Sequence, residues 1–236
     1  MNFGEMKYRV RQLVGQTDTN STMFNTTTDL EPAINDACAS VAARTECLLT
    51  FWDYETVAGT QNYSLKPDYL KMKALQLFVA ADNKYTLKHL SFDEFSQYEG
   101  GNPTTQGVPR VYKIEIGATD TSTNLPGDFW VYPVPDTNGG SQYIIRAYYF
   151  QIPTDLVADA DITELPIIAH KAVCLEAAMT LSMMAADKGM YRDLSLLLER
   201  EIGIIRGYAG IGQRDSATRM KDTLNIARRS RVVRRG

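Results

Sequence analysis

Apolar residues recur every three or four positions near both ends of the chain, which is the pattern of amphipathic helices. The pattern predicts helices over residues 3–14, 30–48, 166–188 and 190–208. Thr28 and Glu31 are spaced as a capping box for the second helix, and Pro32 falls in its first turn. Lys188 and Gly189 are interpreted as the end of the third helix, so the last two helices should form an antiparallel hairpin.

The middle of the chain carries short runs of aromatic and β-branched residues between turn residues, which is typical of strands. FWDYETVAG and QNYSL are predicted to form a strand, a turn and a strand. RVYKIEIG, DFWVYPV and SQYIIRAYYF are predicted to form an antiparallel meander. The periodicity of residues 72–80 fits a helix or a strand, while Ser91 and Glu94 predict a capped short helix.

These patterns together predict an α+β fold. Its parts are an antiparallel helix bundle built from both ends of the chain, a central, mostly antiparallel β-rich module, and an extended C-terminal tail. The predicted domains are a discontinuous helix bundle of residues 1–50 and 160–212, a β-rich module of residues 51–159, and a basic arm of residues 213–236.

Charge is distributed unevenly along the chain. The 236 residues carry a formal net charge of −3, yet residues 213–236 contain eight basic and only two acidic side chains. A basic terminal segment on an acidic body suggests a partner, and a segment with so few apolar residues has little with which to bury itself. Gly207, Gly210 and Gly212 are interpreted as a hinge that releases this segment.

The overall composition, with 44% apolar residues, is that of a globular protein. No stretch approaches the roughly 20 apolar residues of a membrane helix, so no membrane partner is expected. The first residues lack a signal-peptide core, so we expect the chain to be made in, and to stay in, a cytosol-like compartment. Cys38, Cys47 and Cys174 form no CxxC pair and are expected to be small buried residues.

Candidate chemistry is sparse. His170 and Cys174 are spaced to share one helix face and a metal, but no third ligand follows at a recognisable spacing. The acidic residues of positions 155–164 do not match a calcium-binding loop and are interpreted as a solvated loop. The aromatic runs are interpreted as core and cross-strand packing rather than as a surface that stacks on bases. We therefore predict no catalytic, cofactor or metal site.

The central segment carries a series of short motifs in a fixed order. The residues that form them are Tyr63, Leu65, Pro67, Asp68, Gly107, Pro109, Tyr112, Tyr132, Pro133, Pro135, Tyr148, Tyr149, Pro153 and Leu156. This series resembles the head-to-tail adaptor (connector) proteins of tailed bacteriophages, in particular the tail tubular A-like adaptors of short-tailed phages. In that family, the corresponding steps precede a long helix hairpin. The chain departs from the pattern at Lys66, which is inserted, and at Tyr112, which comes one place late.

The resemblance implies a structural virion protein at the portal vertex, made in the host cytoplasm, that forms a ring of about twelve copies. The ring would join the portal protein to a downstream tail tube or nozzle protein, and DNA would pass through its lumen without specific binding. The basic arm would dock on the portal through apolar anchors and arginines. The predicted docking residues are Leu224, Ile226, Arg228, Arg229, Arg231, Val232, Val233, Arg234 and Arg235.

Three other interpretations of the sequence remain open. The basic tail suits a nucleic-acid-binding protein, because arginine contacts phosphates as readily as a protein partner. An enzyme that uses His170 has no supporting constellation of residues. The tail is also compatible with a solvated, disordered end without a partner.

Overall fold

The computed structural model describes residues 1–16, 24–80, 83–100, 104–117, 127–136 and 142–213. It is an α+β protein, as predicted, with five α-helices among these residues and sheets that are mainly antiparallel. The chain divides into two compact units. The helical unit combines Met1–Cys47 with the chain from Leu156 onward, and the β unit is Leu48–Asp155.

The helical unit contains four of the α-helices. Their bounds are α1 Phe3–Leu13, α2 Glu31–Thr45, α4 His170–Met184 and α5 Lys188–Gln213. A π-helical turn, Thr26–Leu30, leads into α2, and a 3₁₀ turn, Ile167–Ala169, leads into α4. Helix α4 lies at the centre, in contact with α1, α2 and α5. It can do so because its inward face is made largely of small residues, including Ala172, Ala177 and Ala178, all completely buried.

Two helix boundaries differ from the prediction. The Thr28–Glu31 capping box is wrong: the Asn25 side chain accepts from the N–H groups of Thr27 and Thr28, and the π-helical turn runs directly into α2. Gly189 does not end a helix either, since α4 stops at Met184 and Ala186 takes the left-handed conformation, with φ 58°. The next helix therefore begins at Lys188, and Gly189 lies in its first turn.

The proposed glycine hinge is also wrong. Helix α5 continues through Gly207, Gly210 and Gly212 to Gln213, so these glycines are part of the helix. A glycine in a helix interior costs about 1 kcal/mol relative to alanine, which the buried side chains of Leu198, Ile202 and Ile205 offset along the same helix.

The described residues of the β unit form ten strands and α3. Their bounds are β1 Leu49–Glu55, β2 Asn62–Ser64, β3 Tyr69–Ala80, β4 Asn83–Thr86, β5 Lys88–His89, α3 Phe92–Glu99, β6 Gln106–Gly107, β7 Val111–Ile116, β8 Gly127–Tyr132, β9 Val134–Pro135 and β10 Ile144–Gln151. One four-stranded sheet has the order β1-β10-β3-β4 and another β2-β8-β7-β5, while β6 and β9 pair as a two-stranded parallel sheet. Buried side chains from both sheets, among them Leu75, Phe129 and Ile145, form a single cluster.

The strand predictions are confirmed in part. Residues 72–80 belong to strand β3, and Ser91 caps α3 through a capping box with Glu94. The meander is wrong beyond its first hairpin: β7 pairs with β8, but β10 pairs with β1 and β3 in the other sheet. Strand β10 therefore links parts of the chain that are far apart in sequence, which local turn residues cannot indicate.

Helix α4 and the turn before it bear on the expectation that no stretch of the chain is apolar enough to span a membrane. Ile167–Met184 is long and apolar enough, by length and composition alone, to cross a bilayer, contrary to the expectation that no stretch would be. However, 61% of this segment is buried inside the fold. A core helix passes the same test, because burial in protein and burial in lipid select similar side chains.

Candidate docking surfaces

The predicted docking arm lies outside the described residues. This applies to Leu224, Ile226, Arg228, Arg229, Arg231, Val232, Val233, Arg234 and Arg235, which all follow Gln213. The structure therefore shows the helix from which the arm continues, and the surfaces of the helical unit around it.

Helix α5 is apolar on more than one face. Leu194, Leu198, Ile202 and Ile205 face the core, as predicted from their spacing, and are buried. Leu197, which the same prediction placed with them, is 48% exposed, and Tyr208 is 71% exposed. Leu197 and Tyr208 lie three helical turns apart on one side, with exposed Ile204 between them. The sequence signal for this second stripe is that α5 has more apolar residues than one buried face can use.

An apolar groove lies beside the last described turns of α5. It is lined by Cys47, Pro166, Ile168, Ile205, Tyr208 and Ala209, and encloses about 420 Å³. Because Tyr208 belongs both to the groove and to the exposed stripe, the two surfaces are continuous. They lead along α5 towards residue 213, where the predicted arm begins.

A polar network ties α5 to the helices beneath it. Arg44 of α2 pairs with Glu199 and lies 3.8 Å from Glu176, while Arg206 Nε donates to the Arg44 carbonyl at 2.9 Å. Ser40 donates to Glu176, and burial raises the pKa of Glu176 above its usual range. Sequence analysis did not find this network, because its members come from three helices and have no common motif.

The acidic loop before α4 is structural as well as exposed. The Asp161 carboxylate accepts from the N–H groups of Val157 and Ala158 at 2.9 and 2.8 Å, and these bonds lower the pKa of Asp161. The Asp159 and Asp161 carbonyls accept from Gly4 N and Phe3 N, the first N–H groups of α1. The loop is therefore exposed, but it is also fixed by hydrogen bonds, which its interpretation as a solvated loop did not include.

His170 and Cys174 do line one cavity, which also includes Arg9 and Leu13 of α1 and encloses about 230 Å³. His170 Nε2 lies 3.1 Å from the Leu165 carbonyl, and burial lowers the pKa of the imidazole. Burial also raises the pKa of the Cys174 thiol to about 12. Among the described residues, no group of three side chains is placed to hold a metal. The Met1 N-terminal ammonium lies 2.9 Å from His170 Nδ1, so the histidine is held between this group and the Leu165 carbonyl.

The aromatic runs of the β unit divide into core and surface. Phe129 and Tyr149 are buried, as predicted. Phe51 and Trp52 of β1 are 53% and 47% exposed, so they are not core, but Phe51 makes the predicted cross-strand contact with Tyr148 of β10 at 6.1 Å between ring centroids. The Arg146 guanidinium lies 4.6 Å from the Phe51 ring and makes two 2.7 Å bonds to Asp53, so this cation is already neutralised within the sheet face. Such a surface offers little net charge to a phosphate backbone.

Comparison with known protein families identifies a match to the chain. A family model described as SU10 adaptor protein matches residues 1–224. The match covers every described residue and extends into the predicted arm as far as Leu224. No curated protein matches the chain.

Proposed function

Because the chain belongs to the SU10 adaptor protein family, a family of bacteriophage head-to-tail adaptors, we propose that it forms a ring of about twelve copies between portal and tail. Family membership makes the chain a structural component of the virion at the head–tail junction. The match over residues 1–224 is the observation that carries the proposal. In the proposed ring, a helix bundle built from both ends of the chain forms the body. The closer likeness to tail tubular A-like adaptors stays a prediction.

The proposed portal contact is the arm of residues 213–236. The exposed stripe of α5 supports this, because it brings apolar surface as far as Tyr208, five residues before the arm begins. Beyond it, Leu224, Ile226, Val232 and Val233 are apolar anchors, and the arginines supply charge-assisted hydrogen bonds. One exposed ion pair contributes only about 0–1 kcal/mol, but many arms on one ring gain from effective concentration.

The charge of the body suits a channel for DNA. The chain as a whole is acidic even with its basic arm, at a formal net charge of −3. A lumen lined by an acidic body offers DNA few cations. Each phosphate that a cation neutralised would strengthen DNA binding. We propose that DNA passes through without specific contacts, and that a tail tube or nozzle protein binds the distal side.

Co-sedimentation with purified portal rings tests the proposal. Three chains are compared: the full-length chain, a truncation after Gly212, and a full-length chain with Leu224→Asp and Ile226→Asp. The full-length chain should sediment with the rings, and both altered chains should stay in the supernatant. Equal binding by all three chains would show that the chain binds the portal through a surface other than the arm. If the full-length chain does not bind, the adaptor ring itself is refuted.

The basic arm also suits a second function, binding to nucleic acid. That function predicts DNA affinity with a steep dependence on salt, which is lost in the Gly212 truncation. Measuring the affinity of the full-length and truncated chains for duplex DNA over a range of salt concentrations separates the two functions. A shallow slope that is the same for both chains supports the portal contact.

A further inference from the structure

The cavity between α1 and α4 has the size and the charge of a socket for one side chain. Its wall is mainly apolar, from Leu13, Ile167, Cys174 and Leu175, and the Met1 N-terminal ammonium lies 2.9 Å from His170 Nδ1 in the same wall. Its volume of about 230 Å³ is below the range of about 300–1,000 Å³ of small-molecule sites. An apolar cavity of about 150 Å³ already admits a benzene ring. The cavity, here called the α1–α4 socket, therefore fits an anchor residue better than a metabolite.

The opening of the socket is positively charged. Arg9 and Lys171 lie at its edge. Lys171 pairs with Glu201 at 2.6 Å, whereas Arg9 has no carboxylate partner among the described residues and bonds only to Gln12. A free guanidinium beside an apolar hole selects an apolar side chain that is followed closely by a carboxylate.

The same unit presents such a combination at the turn Val157–Asp161, here called the acidic turn. Val157 is 80% exposed, and the side chain of Asp159, whose Oδ1 pairs with Lys7 Nζ at 2.8 Å, is still 76% exposed. The turn is rigid, because Asp161 accepts from the N–H groups of Val157 and Ala158, and the Asp159 carbonyl accepts from Gly4 N at 3.0 Å. A preorganised apolar tip loses little conformational entropy when it enters a pocket.

The socket and the acidic turn lie on different sides of α1. Arg9 and Leu13, one turn apart, line the socket. Gly4, Lys7 and Arg11 line a separate groove that contains Val157 and Asp159. Residues two apart on a helix differ by about 200° around its axis, so the two surfaces face different directions. A chain cannot place its own acidic turn in its own socket.

We propose that the acidic turn of one copy inserts Val157 into the α1–α4 socket of the next copy, with Asp159 paired to Arg9. Two different surfaces then meet at every junction, which is the head-to-tail contact that closes into a ring when the rotation allows it. This inference rests on the proposed function, since it names the partner surface within the ring. It assigns the subunit contact to the helical unit alone.

Cysteine cross-linking tests the contact directly. One chain carries Val157→Cys and the other carries Arg9→Cys, and both carry Cys47→Ser and Cys174→Ala, which remove the half-exposed native thiol and the native thiol in the socket wall. Both introduced cysteines are on the surface, so they should not affect folding. Under mild oxidation on portal rings, the mixture should give disulfide-linked dimers, and each chain alone should give none. A dimer of Val157→Cys with itself, or ring-bound chains without any dimer, would overturn the inference and leave the proposed function intact.

A substitution at Val157 measures the same contact without a cross-link. Val157→Lys places a further cation in a socket whose lining already includes Arg9 and Lys171, and should weaken self-association about tenfold or more, measured by sedimentation velocity on the portal-bound or free chain. The matched control is Val57→Lys, at a valine that is 53% exposed in the β unit, and it should assemble normally. Equal assembly of the two variants contradicts the inference. If the unaltered chain neither self-associates nor binds portal rings, the proposed function fails as well.

Discussion

The centres of the two units differ in the side chains that fill them. Helix α4 and the turn before it supply mainly small side chains to the helical core, including Ala169, Ala172 and Ala177, all completely buried, while α1 adds the larger Phe3 and Met6. The β core uses large rings: Phe129 lies 5.0 Å from the Tyr54 ring and 5.4 Å from the Tyr63 ring. Helix axes pack about 8–10 Å apart only where side chains are small, whereas facing sheets leave a layer about 10 Å thick for side chains to fill. The closely packed helices should therefore be sensitive to added volume, and the aromatic core of the β unit should be sensitive to lost volume.

The sequence happens to label each unit separately. Both tryptophans, Trp52 and Trp130, belong to the β unit, and all three cysteines, Cys38, Cys47 and Cys174, belong to the helical unit. Tryptophan fluorescence therefore reports on the β unit, and thiol accessibility reports on the helical unit. The comparison between the two cores can be tested within one chain.

Phe129→Ala should cause the largest effect. It removes a fully buried ring from the centre of the aromatic cluster and should cost about 3–5 kcal/mol. The urea midpoint from tryptophan fluorescence should fall strongly, while protection of Cys38 and Cys174 changes less. Phe92→Ala, at a ring that is 62% exposed in the same unit, is the control and should shift the midpoint much less. Equal loss of both signals would show that the two units unfold as one.

Ala177→Leu should have a smaller effect in the other unit. Ala177 is completely buried on α4, and the added atoms would push apart helices that now pack closely, at a cost of about 1–3 kcal/mol. The buried thiols should react with a thiol reagent at lower urea concentration, with little change in tryptophan fluorescence. Thr180→Leu adds a similar side chain on the exposed side of α4 and should leave thiol protection unchanged. An Ala177→Leu chain as protected as Thr180→Leu would contradict close packing at this helix.

Local signals predicted most of the helices and strands. The 3.6-residue period located α1, α2, α4 and α5, and a capping box located α3, because each depends on residues a few positions apart. Pairing between strands depends on residues far apart, so β10 was assigned to the wrong neighbour. Helix ends were less predictable, because the residue that reverses the chain after α4 is Ala186, which has no intrinsic preference for its conformation.

The candidate surfaces were less accessible to sequence analysis than the fold. The basic arm was recognised from the charge of residues 213–236. The family match supports a role at the head–tail junction but does not test the individual docking residues. The α1–α4 socket brings together Arg9 and Cys174, more than half the chain apart in sequence. Its charge complement, Asp159, was interpreted only as part of a solvated loop. Complementary surfaces become visible only after the fold has placed them, since neither half has a motif of its own.

Alkaline pH should distinguish the two units by the least disruptive means. Burial raises the pKa of Tyr112 to about 12, and burial with the nearby Asp68 carboxylate raises that of Tyr149 to about 12. The folded β unit holds these phenols neutral, while the unfolded chain ionises them from about pH 10. Their contribution to stability is complete below pH 10 and is lost as the pH rises towards 12.

In the helical unit, Tyr8 and Tyr208 are 61% and 71% exposed, so their rings are not part of its core. Tryptophan fluorescence should therefore report unfolding at lower urea as the pH rises from 10, by roughly 1 kcal/mol for each buried phenol. Tyr112→Phe removes one ionisable group and should flatten this dependence, whereas Tyr8→Phe should not. If Tyr112→Phe loses stability with pH as steeply as the unaltered chain, the buried phenols are not what makes the β unit sensitive to alkali. The aromatic side chains of that core would then stabilise the β unit only by filling its volume, just as the small side chains of α4 act only through close packing.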